Sequence, residues 1–210
     1  MKVILLLVIF VMSATAEPAS NRIVLLGDSL TEMGDLEEGW VKILRQKYPQ
    51  YNFYNMGISG DKVSDLLGRI DRDVVSPSFV VVFIGTNDVW GFLGFSGTPR
   101  ERFTAELTHL ISTLTDLGNK VALCTLGVIG EKQVNELDNI LDSYSSIIRD
   151  LAKERSLPLC DIRTAFLEYL MNNNREDNEM GILTSDGVHL SVDGNKLVAQ
   201  EIEKCIKNLL

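Results

Sequence analysis

Five short apolar runs, each followed by a stretch of helical period, restrict this fold more than any other feature of the chain. The first, Arg22–Gly27, is a continuous hydrophobic run closed by glycine, as expected of a strand buried on both faces. Further strands are expected at residues 51–55, 79–84, 120–126 and 157–162, with 79–84 (Phe-Val-Val-Val-Phe-Ile) the most hydrophobic and therefore central. Between them the apolar spacing changes to that of helices. Residues 39–48 carry Trp40, Ile43, Leu44 and Lys47 at this spacing and stop at Pro49. Residues 61–75 carry Val63, Leu66, Leu67, Ile70 and Val74 and are closed by Pro77. Residues 99–117 carry Phe103, Leu107, Leu110, Ile111 and Leu114, with Gly118 suited to the C-terminal cap. Helices are also expected at 134–155 and 191–210. Alternation of this kind predicts one α/β domain with a five-stranded parallel sheet covered by helices on both faces.

The N-terminus does not fit that pattern. Met1-Lys2 precedes an apolar run over residues 3–12, then small residues at Ala14 and Ala16, which predicts a signal peptide over 1–16 and a domain over 17–210. A membrane-spanning helix needs about 20 apolar residues, so no stable anchor is expected. The expected location is outside the cell or in the secretory lumen (the periplasm, if bacterial). Twenty Lys and Arg against 29 Asp and Glu give a net charge of −9, which argues against nucleic acid or an anionic membrane as partner. Cys124, Cys160 and Cys205 are an odd set without framework spacing. Three buried core thiols are the favoured expectation, with one disulfide left open. Two histidines and no Cys-x-x-Cys leave little from which to build a metal site, and no metal or cofactor is expected.

In a doubly wound sheet ligands bind outside the carboxyl ends of the strands, so the residues after each strand carry most information. They are Gly27-Asp28-Ser29-Leu30-Thr31, Asn55-Met56-Gly57-Ile58-Ser59-Gly60 and Gly85-Thr86-Asn87-Asp88; a loop before the last helix adds Asp186-Gly187-Val188-His189-Leu190. Singly, each could be a turn or a helix cap. Together they hold a nucleophile, a base and an orienting carboxylate. Ser29 is a weak nucleophile until a base takes its proton. His189 can take it, since an ordinary imidazole titrates at about 6.5. Asp186, three residues earlier, can hold the imidazole tautomer. His109 falls off the apolar stripe of its helix and reads as a surface residue, which leaves His189 without a competitor as the base.

These four blocks, in this order, resemble the SGNH-hydrolase superfamily, the GDSL esterases and lipases. The resemblance implies a three-layer, flavodoxin-like sheet of strand order 2-1-3-4-5 and hydrolysis of ester or thioester bonds. It also implies an oxyanion hole formed by the N–H groups of Ser29 and Gly57 and the side-chain amide of Asn87. The glycine-rich aromatic segment after Asn87 offers Trp90, Phe92, Leu93 and Phe95 as walls of an acyl or alkyl pocket, or as packing over the sheet end. The substrate expected is a small-molecule ester: a lipid or alkyl ester, with an acetylated glycan as the alternative. A non-catalytic flavodoxin-like binding module is the reading from another class, but Gly27 to Thr31 lacks the glycine pattern and lysine of a phosphate loop.

Overall fold

The computed structural model describes residues 21–90 and 97–207. The segment read as a leader lies outside them, and so do Phe92, Leu93 and Phe95. Five strands, β1 (Arg22–Gly27), β2 (Asn52–Gly57), β3 (Phe79–Phe83), β4 (Lys120–Cys124) and β5 (Leu159–Cys160), form one parallel sheet of order β2-β1-β3-β4-β5. This is the order that the resemblance implies.

The period-2 geometry of a strand sends alternate residues of each run to opposite faces, and both faces are dry. Val24, Leu26, Val80, Val82, Val121 and Leu123 point to one side. There they meet α3 (Val63–Leu67), α4 (Ile70–Asp73), α6 (Arg100–Asp116) and α7 (Asp138–Glu154). Ile23, Leu25, Val81, Phe83 and Ala122 point to the other side, against α2 (Trp40–Lys47), α8 (Ile162–Asn173) and α9 (Val192–Ile206). Continuous apolar runs in the sequence are thus strands covered twice.

Several expectations need correction. The helix expected at 61–75 is two short ones, α3 and α4, separated by Gly68-Arg69, because Arg69 leaves the helical path to bond Asp61 and the end of β1. The helix expected from 134 begins at Asp138, because Asn135 folds the preceding residues into a turn by accepting the Leu137 N–H at 2.9 Å. The last strand is only two residues long. Helix α8 was not anticipated, since Leu167 and Met171 lie on its exposed side and blur its amphipathic pattern. Three core thiols are not what is found: Cys160 and Cys205 form a disulfide that ties edge strand β5 to α9, and Cys124 alone is a free, buried thiol. Both partners face the same apolar layer, one from the sheet and one from the helix above it. Burial pushes the Cys124 thiol upward and keeps it protonated. No helix among the described residues is long and apolar enough to cross a membrane.

Candidate active site

Strand order reverses between β1 and β3, whose neighbours β2 and β4 run on to opposite edges, so a crevice opens at their carboxyl ends. Ser29 stands there as the first residue of a one-turn helix, α1 (Ser29–Glu32). Asp28, fully buried, caps this helix by accepting the Leu30 N–H at 3.0 Å. The indole of Trp40 donates to the Leu30 carbonyl at 2.8 Å, which fixes the turn from the α2 side. Gly57, level with Gly27 across the β1–β2 ladder, lets α1 lie close: a Cβ there would stand 2.2 Å from the Glu32 nitrogen.

His189 approaches from the loop before α9. Its Nε2 lies 3.1 Å from the Ser29 Oγ, and its Nδ1 lies 2.7 Å from Asp186 Oδ2. The second oxygen of Asp186 accepts the backbone N–H groups of Val188 (3.0 Å) and His189 (2.8 Å), so one carboxylate folds its own loop and holds the ring. Partial burial pushes Asp186 upward, but the hydrogen bonds from the His189 ring and these two N–H groups outweigh it and leave the carboxyl at about 2. Asp186 is therefore an anion throughout the neutral range. His109 is exposed on α6, away from this site.

The loop is held from below by a residue that belongs to none of the four sequence blocks. Glu131 is buried, and its carboxylate accepts the N–H groups of Ile182 (2.9 Å), Leu183 (2.8 Å) and Thr184 (2.5 Å) and the Thr184 hydroxyl (2.6 Å). The adjacent Gly130 N–H donates to the Gly187 carbonyl at 2.7 Å, between Asp186 and His189. Buried Asn174 donates to the carbonyls of Glu131 (2.7 Å) and Asn178 (2.8 Å), which closes the bracket. An acidic residue one glycine beyond the largely apolar stretch 121–129 is the only sequence signal of this role.

On the opposite side of Ser29, Asn87 is the second residue of the short helix α5 (Thr86–Val89) after β3. Its Nδ2 donates to the Asp61 carbonyl at 2.9 Å and lies 3.5 Å from Asp28 Oδ2. Gly57 is not presented as expected, for its N–H donates to Asn55 Oδ1 at 2.9 Å and is already engaged. Gly60, three residues on, has a φ of 86° that favours glycine, and no atom stands within 4 Å of where its Cβ would be. Among the described residues the N–H groups of Gly60 and Ser29 have no acceptor. The Gly60 turn is clamped by Arg69, which donates to Asp61 Oδ2 (2.8 Å) and to the Gly27 carbonyl (3.2 Å) and pairs with Asp73.

Two buried acids complete this side. Burial raises Asp28 to about 7, opposed by its bond from the Leu30 N–H and reinforced by nearby Asp88. Burial likewise raises Asp88 to about 6; its Oδ2 accepts the Val63 N–H at 3.3 Å. Trp90 is half-buried and packs against the core on the α6–α7 side of the sheet. No group of three or more His, Cys, Asp or Glu able to hold a metal ion occurs among the described residues.

Comparison with known proteins gives a consistent result. A model of the GDSL-like lipase/acylhydrolase family matches residues 25–197. An acetylxylan esterase from Geobacillus stearothermophilus is 27% identical, the match covering 87% of this chain and 92% of the relative. An arylesterase from Vibrio mimicus is 26% identical over 96% of this chain and 98% of its own. The crystal structure of the acetyl xylan esterase AlAXEase superposes with a TM-score of 0.85 at 37% identity, covering 88% of this chain and 99% of that one.

Proposed function

Since the chain belongs to the GDSL-like lipase/acylhydrolase family and is an esterase, we propose that it cleaves its substrate through an acyl-enzyme on Ser29. The observation that carries this reading is the relay Ser29 Oγ to His189 Nε2 (3.1 Å) and His189 Nδ1 to Asp186 Oδ2 (2.7 Å). His189 takes the hydroxyl proton as Ser29 attacks the ester carbon, and Asp186 stabilises the imidazolium that results. The tetrahedral oxyanion is met by the Ser29 N–H, the Gly60 N–H and the second hydrogen of the Asn87 amide, whose first stays on the Asp61 carbonyl. Gly60 replaces Gly57 in this role because its N–H is free. The C–O bond to the alcohol then breaks, and His189 returns the proton to the departing oxygen. Water repeats the sequence and releases the acid.

Acetyl groups on a carbohydrate are the favoured substrate. Similarity to two acetylxylan esterases supports this choice. A lipid preference has less support, since Trp90 packs on the core and the rest of its aromatic segment lies outside the described residues. We also infer export from the cytosol. The apolar run over 3–12 and the Cys160–Cys205 disulfide support it, since disulfides persist in oxidising compartments. The mature protein should then begin at Glu17, which N-terminal sequencing of exported material checks directly.

The test of the reaction is turnover of 4-nitrophenyl acetate by Ser29→Ala and His189→Ala, each with an unchanged circular dichroism spectrum. Both should lose activity by about 10⁴-fold or more. Retained turnover in the serine variant would remove the mechanism.

A further inference from the structure

We propose that the cleft beside His189 seats the alcohol half of the ester, and that it is built for an uncharged polyol ring. This assignment rests on the serine-esterase reading above. The cleft has a volume of about 330 Å³ and is bordered by His189, Leu30, Met33, Leu36, Glu38 and Val192. It lies between the segment that follows α1 and the N-terminal end of α9.

Reaction geometry decides which half of the ester lies here. The carbonyl oxygen must face the Ser29 N–H and the Asn87 amide. When the tetrahedral intermediate collapses, the alkoxy oxygen keeps the electron pair of the breaking C–O bond and takes the proton from His189 Nε2. That oxygen therefore lies within hydrogen-bond reach of Nε2, and whatever it carries extends into the space that His189 borders. The acyl group points elsewhere.

The walls narrow the chemistry of the alcohol. Met33, Leu36 and Val192 are 40%, 63% and 39% exposed, an unusual gathering of apolar surface at one rim. At the same rim stands Glu38, exposed and in no salt bridge among the described residues, whereas Glu37 pairs with Lys42 at 3.0 Å. Asn195 is a structural wall: its amide oxygen accepts the Trp40 N–H and its nitrogen donates to the Ser191 carbonyl. A pyranose ring offers both surfaces required, a C–H face for the apolar side chains and hydroxyls for Glu38. Hydrogen bonds to a carboxylate are the stronger kind. An anionic alcohol would be repelled by Glu37 and Glu38 and by the net charge of −9.

Two ester pairs test this on the whole exported chain. Ethyl acetate and a monoacetylated methyl pyranoside share the acyl group and differ in the alcohol; ethyl acetate and ethyl butyrate share the alcohol. Glu38→Ala and Val192→Trp, both at exposed positions, should each raise KM for the pyranoside about tenfold more than for ethyl acetate. Neither should alter the acetate-to-butyrate ratio. An unchanged pyranoside-to-ethyl ratio in both variants overturns the assignment, and so does a shift in the acyl-length ratio instead. Ser29→Ala separates the two readings. If it retains activity, the esterase mechanism fails, whereas activity that needs Ser29 but shows no alcohol effect removes the subsite alone.

Discussion

Two loops meet at Ser29, and they are held in opposite ways. The loop 181–191, which carries Asp186 and His189, has most of its backbone donors paired, five of them to carboxylates. Glu131 takes three of them, Asp186 takes two more, and Gly130 bonds the Gly187 carbonyl. The loop after β2, which carries Gly60, is held by side chains (Arg69 on Asp61, Asn87 on the Asp61 carbonyl, and Glu32 on Ser59, 2.9 Å to its N–H) and by two backbone bonds, from Ile58 to the Gly27 carbonyl and from Asp61 to the Ile58 carbonyl. Its Gly60 N–H stays unspent. The difference suits the proposed mechanism: a base must keep one orientation, which N–H groups anchored on carboxylates provide, and an oxyanion site must leave a donor open, which the loop after β2 does at Gly60.

The largest break should come from the loop that carries His189. Replacing His189 with Ala removes the base and should lower kcat by about 10⁴-fold or more, read from steady-state hydrolysis of 4-nitrophenyl acetate. On the other loop's side, Asn87→Ala removes one donor to the oxyanion and should cost about 10²–10³ in kcat with little change in KM. If the deficit fell on KM instead, Asn87 would be a binding residue.

Glu131 sharpens the contrast. Glu131→Ala leaves two buried N–H groups and one half-buried one unpaired, the buried ones each costing about 1–3 kcal/mol, so both stability and kcat should fall. Glu131→Gln keeps one oxygen, and with it the bonds from Leu183 and Thr184. It should restore most of kcat while KM stays near the native value. A Gln variant no better than Ala in kcat, yet equally stable, would show that the loop does not depend on this carboxylate for its position.

The smallest effect belongs to the buried acids behind the unspent donors. Asp28 titrates near 7 in the folded protein against an ordinary 3.8, and Asp88 near 6. The native state therefore binds protons more tightly than the unfolded chain. Their contribution to stability should be fully present below about pH 4, decline as pH rises toward 7 and level off above it, while the depressed Asp186 adds an opposite slope only below about pH 4. Denaturant midpoints measured from pH 4 to 8 should show this decline, and Asp28→Asn should flatten it. An equally steep slope in the variant would assign the titration elsewhere.

How much of this was legible in the sequence depends on the distance over which a signal acts. Strands such as Phe79–Phe83 and helices such as α6 declare themselves by periodicity, because burial on one or two faces is written into every residue. Ser29, Asn87, Asp186 and His189 were legible because they follow strands or share one short loop. Glu131 was not, since its partners lie about fifty residues away and its value comes only from the fold. Gly57 was misread for a local reason. Gly57 ends β2 and Gly60 stands in the turn after it, and only the bond that the Gly57 N–H donates to Asn55 Oδ1 shows which N–H is occupied. The disulfide was hidden in the same way as Glu131, because Cys160 and Cys205 are 45 residues apart and meet only when α9 lies over β5.

The measurement that tests the central claim most directly is covalent. A dialkyl fluorophosphonate reacts with a serine that a neighbouring base activates, so peptide mass spectrometry after labelling should find a single phosphoryl adduct, on Ser29. Labelling should be lost in His189→Ala, and esterase activity should fall in step with adduct formation. An adduct on another residue, or full activity in a protein labelled at Ser29, would contradict the account.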